Sequence, residues 1–483
     1  MKKLLLIAAA LLAANLLRAQ WEPDVRLTND PAMTMPPWNN SRLIVTSGDT
    51  LHVVWYDMRD GNYEIYYKRS TDGGINWEAD TRLTNNAALS SDPCIAVSGN
   101  IVHVTWMDDR NTGNREIYYK RSEDGGSTWG ADTRLTNAIH SSEYSSIAIS
   151  GSVLHVAWYD KRDDPTGNGD GEIYYKRSTD GGLTWENDTR LTVKSGYAGF
   201  PCIVASGSLV HIAWEDARNG NGNIYYKRST DGGLTWGADI QLTNDPADQW
   251  DPCLALSDSV IHVVWQDNRN GSNNYEIYYK CSADAGVTWG QDTRLSTAAG
   301  NSLYPTIAVS GSLVHIVWED DRYNGMLKIF YKQSVNAGIS WGEETQLTNA
   351  SGNSYTPFIA LSDSVVHIAW DDDRDGNYEI YYKRNPTGNV PVGIGNVPAS
   401  SSEQQYRIYP NPASTIIHIY RINNSNDKAI FTIWNILGEK LSSRQLQDQE
   451  TVMDVSAFQP GLYFVGIATE NRHSPITKLI IQR

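Results

Sequence analysis

The chain has 483 residues, a formal charge of −16 and a pI near 5.1. That acidic balance repels a phosphate backbone and argues against nucleic acid as a partner. Beyond the first residues no apolar stretch is long enough to span a bilayer, so no transmembrane segment is expected in the mature protein.

Met1-Lys2-Lys3, the apolar run Leu4–Ala14 and Leu17-Arg18-Ala19 have the charge, hydrophobicity and small-residue pattern of a signal peptide over 1–19. Next comes Trp21-Glu22-Pro23-Asp24-Val25-Arg26-Leu27-Thr28, which matches Trp77-Glu78-Ala79-Asp80-Thr81-Arg82-Leu83-Thr84 further on. Between them begins a repeat. His-x-x-Trp-x-Asp-x-Arg starts at His52, His103, His155, His211, His262, His315 and His367, a period of 51 to 56 residues. Each copy reads as short strands rich in Val, Ile, Tyr, Trp and Thr between Gly, Asn and Asp turns, which is the texture of a propeller blade. The last copy lacks an outer strand and Trp21–Thr28 is a spare one. An all-β, seven-bladed β-propeller closed by the N-terminal strand is therefore expected.

A second motif, Ser-x-Asp-x-Gly-x-x-Trp, joins the third and fourth strands. It carries Asp72, Asp124, Asp180, Asp231 and Asp284, with Asn336 in the sixth copy. Its Ser and Asp can bond the turn's own amides, and Gly supplies positive φ. The motif resembles the Asp-box (BNR repeat) of the sialidase superfamily, over roughly residues 21 to 384. The resemblance implies a structural role for the Asp-boxes, on the face opposite an active site. It also implies an exo-glycosidase with an arginine cluster, for which Arg42 is the candidate. Arg42 stands where the other repeats place Pro93, Pro201, Pro252, Pro305 and Pro357.

Residues repeated in every blade, such as the seven histidines and pairs like Asp57 and Arg59, read as scaffold. The inter-blade loops vary most. They carry Trp38, Tyr144, Tyr197, Phe200, Trp250, Tyr304 and Tyr355, expected near the channel mouth and suited to a glycan or surface-protein ligand. Asp371, Asp373 and Asp375, followed by Gly376, form a candidate calcium loop, as does the longer loop Asp163–Gly171; ordinary turn chemistry is the competing reading. Cys94, Cys202 and Cys253 share one repeated place on different inner strands, with Cys281 elsewhere. Ring geometry is expected to hold the three apart, without a disulfide framework.

The repeats end at residue 384, and 385–405 reads as a linker. Over 406–483, strand-turn spacing suggests a small antiparallel sandwich. Tyr409-Pro410-Asn411-Pro412, Asn435-x-x-Gly438 and Gly461-x-Tyr463 resemble the type A C-terminal sorting domain of the type IX secretion system of Bacteroidetes. The resemblance implies export through that machinery, to the cell surface or medium. The expected function of residues 20–384 is a non-catalytic propeller binding a glycan or protein at its loop face, with a sialidase-like exo-glycosidase as the alternative.

Overall fold

The computed structural model describes residues 21–388, apart from 38–41, 112–113, 165–169, 194–195, 272–273 and 324. In the C-terminal part it describes 406–409, 415–421, 429–434, 440–446, 450–459, 461–469 and 477–481. The 1–19 segment and Trp38 lie outside the described residues. Contacts divide the chain into two compact units, 1–391 and 392–483.

The first unit holds seven antiparallel sheets, each built from four successive strand positions. Blade 2 shows why. Its strands are Ser90–Ser98 (inner), Ile101–Asp108, Glu116–Ser122 and Thr133–Arg134 (outer). Alternation along the second strand sends Val104 and Trp106 to one face and His103 and Thr105 to the other. All four are fully buried, because each sheet lies between two others. Trp106 stacks on Tyr118 at 5.9 Å and donates its indole N–H to Asp108 at 3.0 Å. Arg110 grips the same carboxylate at 2.7 and 2.6 Å, reaches Asp132 beside the outer strand at 2.7 Å, and lies 4.5 Å over the Tyr118 ring. In blade 2 the Trp-x-Asp-x-Arg is thus an ion pair around a fully buried carboxylate whose hydrogen bonds are filled, the condition under which such a pair is tolerated in a core. His103 bonds the Tyr119 hydroxyl at 2.7 Å, and burial lowers its pKa to about 4, so the ring is neutral.

Neighbouring blades are joined through the Asp-box. Asp124 accepts from Ser122 Oγ, the Thr128 amide and Thr128 Oγ1 at 2.8, 2.8 and 2.6 Å, which fixes the hairpin. Asn336 does the same work in the sixth box, accepting from Ser334 Oγ and the Ser340 amide at 2.9 Å each. The box tryptophan packs backwards: Trp129 meets Tyr67 of blade 1 edge-on at 5.0 Å. That tyrosine hydroxyl occupies the place a Cβ on Gly126 would need, 2.0 Å away, and Gly126 has φ +86°. Glycine is required there on both counts.

The inner strands contact one another in order around a ring, including blade 7 with blade 1. The ring closes as the sequence implies. Val25–Arg26 pairs with Tyr382 and Tyr381 as the outer strand of blade 7. The Glu22 amide donates to Arg384 O at 3.0 Å and the Leu27 amide to Ile380 O at 2.8 Å. Arg374 reaches Asp24 at 2.7 Å, replacing the within-blade contact of Arg110 with Asp132. Blade 1 departs from the rest in its inner strand, which appears as two pieces, Thr34–Met35 and Ile44–Ser47, both paired with Thr50–Asp57.

The second unit is a sandwich. One sheet contains Tyr406–Tyr409, Ile416–Arg421 and Glu450–Asp454; the other contains Lys440–Leu446, Ala429–Trp434, Gly461–Thr469 and Thr477–Ile481. Ile417, Ile419, Phe431, Ile433, Val465 and Leu479 meet between them in one core.

Candidate functional site

Seven near-identical blades make any position that differs between them conspicuous, and two such positions adjoin at one mouth of the channel. The first is a bulge near the start of each inner strand. Asp92, Tyr144, Phe200, Asp251, Tyr304 and Thr356 occupy it in blades 2 to 7, all at φ between 43° and 56°. Left-handed non-glycine backbone of this kind costs about 1–3 kcal/mol per residue. The second is x in Trp-x-Asp, held by Tyr56, Met107, Tyr159, Glu215, Gln266, Glu319 and Asp371, all buried. The two interlock across blades. Glu215 accepts from the Asp251 amide at 3.2 Å, Gln266 from the Tyr304 amide at 2.9 Å and Glu319 from the Thr356 amide at 2.7 Å.

Gln266 shows that the bridge needs an acceptor but not a charge. The carboxyls at 215 and 319 therefore supply something beyond the bridge. Burial, with Asp251 adding to the effect, pushes Glu215 well above the usual carboxylate range, and burial by itself does the same to Asp251. Burial raises Glu319 to about 7, with Asp251 adding to the effect, and it raises Asp371 strongly, with Glu319 adding most among its negative neighbours. Among the described residues no cation offsets these four groups, and Asp371 Oδ1 has no hydrogen-bond partner. Buried acids without a cation hold their protons. The Tyr304 phenol, raised to about 12 by burial and then by Asp251, Glu319 and Glu215, sits among them, and the Tyr197 phenol donates to Glu215.

The aromatic residues anticipated from sequence divide into three settings. Tyr144 and Phe200, from adjacent blades, stack at 4.6 Å and are each half-buried. Tyr304 joins the acids. Trp250 and Tyr355 stand one residue earlier, before the bulge, and are engaged locally. Trp250 covers Gly222, where a Cβ would lie 2.5 Å from the indole, and bonds the Tyr275 hydroxyl. Tyr355 leans on Tyr378 at 5.5 Å and donates to Asp373 at 3.2 Å.

Arg42 points elsewhere. It lines a cavity of about 230 Å³ within the channel together with Ala148, Val204, Ser206, Leu256 and Asp258. Ser206 and Asp258 lie at the far ends of inner strands, beside the turns of the Asp-box face, so Arg42 extends away from the mouth. The calcium loop does not gather its carboxylates: Asp371 is buried toward Glu319, Asp373 accepts the Asn353 amide at 2.6 Å, and Asp375 pairs with Arg26 at 3.1 Å. Residues 165–169 of the longer loop lie outside the described residues. Cys202 and Cys253 are not held apart as expected: equivalent positions on adjacent inner strands come together at the channel wall, where the amide following Cys253, that of Leu254, donates to Cys202 Sγ at 3.2 Å.

Glu215, Asp251, Glu319 and their convergence were not singled out from sequence. The signal was present in the x of Trp-x-Asp, where Tyr, Met and Tyr give way to Glu, Gln, Glu and Asp in blades 4 to 7.

Two family models match the chain: BNR repeat-like domain over residues 101–316, and secretion system C-terminal sorting domain over 407–482. No curated protein matches it in sequence. Among solved structures, a polysaccharide lyase aligns at 10% identity with TM-score 0.53, covering 76% of this chain and 99% of its own. An ulvan lyase aligns at 11% and 0.53, covering 74% and 95%. A Trypanosoma rangeli sialidase aligns at 12% and 0.42, covering 82% and 85%. The two lyase likenesses are of fold and agree with the propeller described above. The chain thus carries a BNR repeat-like β-propeller and a sorting domain that directs it, by type IX secretion, to the cell surface or the extracellular space.

Proposed function

We propose that the propeller binds a saccharide at its loop-face mouth, across blades 3 to 7. The observation that carries this reading is where the ring symmetry breaks: the variable residues fall together at one mouth, whereas the Asp-box face repeats almost unchanged. Half-buried aromatic rings such as Tyr144, Phe200 and Tyr304 suit the C–H faces of sugars. Protonated carboxyls both donate and accept, which matches hydroxyl groups. The machinery that exports the chain places it where extracellular glycans are met.

A second reading, a glycosidase, is favoured by the same proton-holding acids, since a carboxylic acid that keeps its proton near neutrality is what leaving-group protonation requires. Arg42, turned down the channel, is not part of that set. Incubating the full exported chain with a mixed glycan library and reading both retained and free species by mass spectrometry tests both. Retained glycans of unchanged mass, with retention reduced in Tyr144→Ala and Asp251→Asn, are the expected result. New masses that depend on Glu319 would replace binding with hydrolysis. No retention and no new mass would end the saccharide reading.

A further inference from the structure

Two buried thiols at the channel wall have no part in the mouth just described. Cys202 and Cys253 occupy the same position on the inner strands of blades 4 and 5 and are 4% and 6% exposed. The Leu254 amide donates to Cys202 Sγ at 3.2 Å. Backbone geometry then puts that sulfur within about 6 Å of the Cys253 Cα, so the two cysteines are neighbours across the boundary between the blades. The Cys253 thiol adjoins the same sulfur. In blade 3 the equivalent atom is Ser146 Oγ, which accepts the Ile203 amide at 3.3 Å, so the inter-blade bond itself does not call for sulfur.

We propose that Cys202 and Cys253 form a disulfide joining the inner strands of blades 4 and 5 after the chain has left the cytoplasm. Compartment and geometry agree, since exported proteins meet an oxidising environment. One of the two cysteines, as its thiolate, opens the disulfide of an oxidised protein or small-molecule thiol carrier, giving a mixed disulfide and releasing one carrier thiolate. The other then loses its proton and attacks the first cysteine's Sγ, releasing the second carrier sulfur. In sum two protons and two electrons pass from the two cysteines to the carrier, which becomes a dithiol. Burial of both sulfurs places this exchange before blades 4 and 5 have packed.

The test uses full-length protein recovered from an oxidising medium without reductant, denatured and alkylated, then digested for mass spectrometry. A peptide cross-linked through Cys202 and Cys253, with Cys94 and Cys281 alkylated, is expected, and reduction should free all four. Reductant should also lower the wild-type melting temperature by several degrees and leave a Cys202→Ser/Cys253→Ser variant unmoved. Alkylation of all four cysteines before reduction, or a cross-link through Cys94 or Cys281, would overturn the proposal.

Discussion

Single residues in this ring fall into those that every blade repeats and those that it does not. Trp158 is typical of the first kind. It is fully buried, lies tilted against Tyr174 with ring centroids 6.0 Å apart, and is bonded through its indole to Asp160 at 2.7 Å. Trp158→Ala removes that packing and leaves a cavity that neighbouring sheets cannot fill, so it should cost about 3–5 kcal/mol in chemical denaturation. Glu319 is typical of the second. It holds a proton in the folded state at a pH where the unfolded chain has released it. The native state then binds more protons between about pH 4, the unfolded carboxylate range, and about 7, so stability should fall as pH rises through that window. Gln266 already makes the same bridge without a charge, so Glu319→Gln should keep the fold and flatten this decline. Melting temperatures from pH 4 to 8 check it; a slope identical to wild type would mean that Glu319 is ionised throughout.

At the scale of strands, the N-terminal segment is the critical one. Without residues 21–28, Glu379–Asn385 becomes an exposed edge, and buried Glu379 loses Arg26 and Thr28, now at 2.6 and 2.5 Å. Deleting 21–28 should therefore abolish hydrogen-exchange protection along 379–385 and promote edge-to-edge association, visible in sedimentation. Protection that survives the deletion would show that the edge is held otherwise. This closure was legible in sequence, because the spare strand repeats Trp77–Thr84 almost residue for residue and one blade lacked its fourth strand. The bulges were not. Asp92, Tyr144 and Thr356 share no side-chain chemistry, and what they have in common is a positive φ that only the ring's geometry requires. The acids of the mouth were hidden for a related reason. Glu215 and Asp251 lie 36 residues apart on different blades, and nothing local in the chain announces that they meet. Trp250 belongs to neither repeated tryptophan position, yet its indole is spent on Gly222 and Tyr275.

For the whole molecule, repetition and variation have separate faces. Asp-box turns lock each blade to the one before it, down to the Tyr67 hydroxyl seated against Gly126. The opposite face carries the bulges, the proton-holding acids and the stacked Tyr144 and Phe200. The sorting domain follows as a separate unit, with its own core between two sheets. The central claim is that function resides at the loop-face mouth. Hydrogen–deuterium exchange of the full chain, with and without a saturating mixed oligosaccharide pool, tests it most directly. The account predicts added protection at 142–146, 198–202, 249–253 and 302–306, with the Asp-box turns unchanged. Protection confined to the Asp-box turns would contradict it.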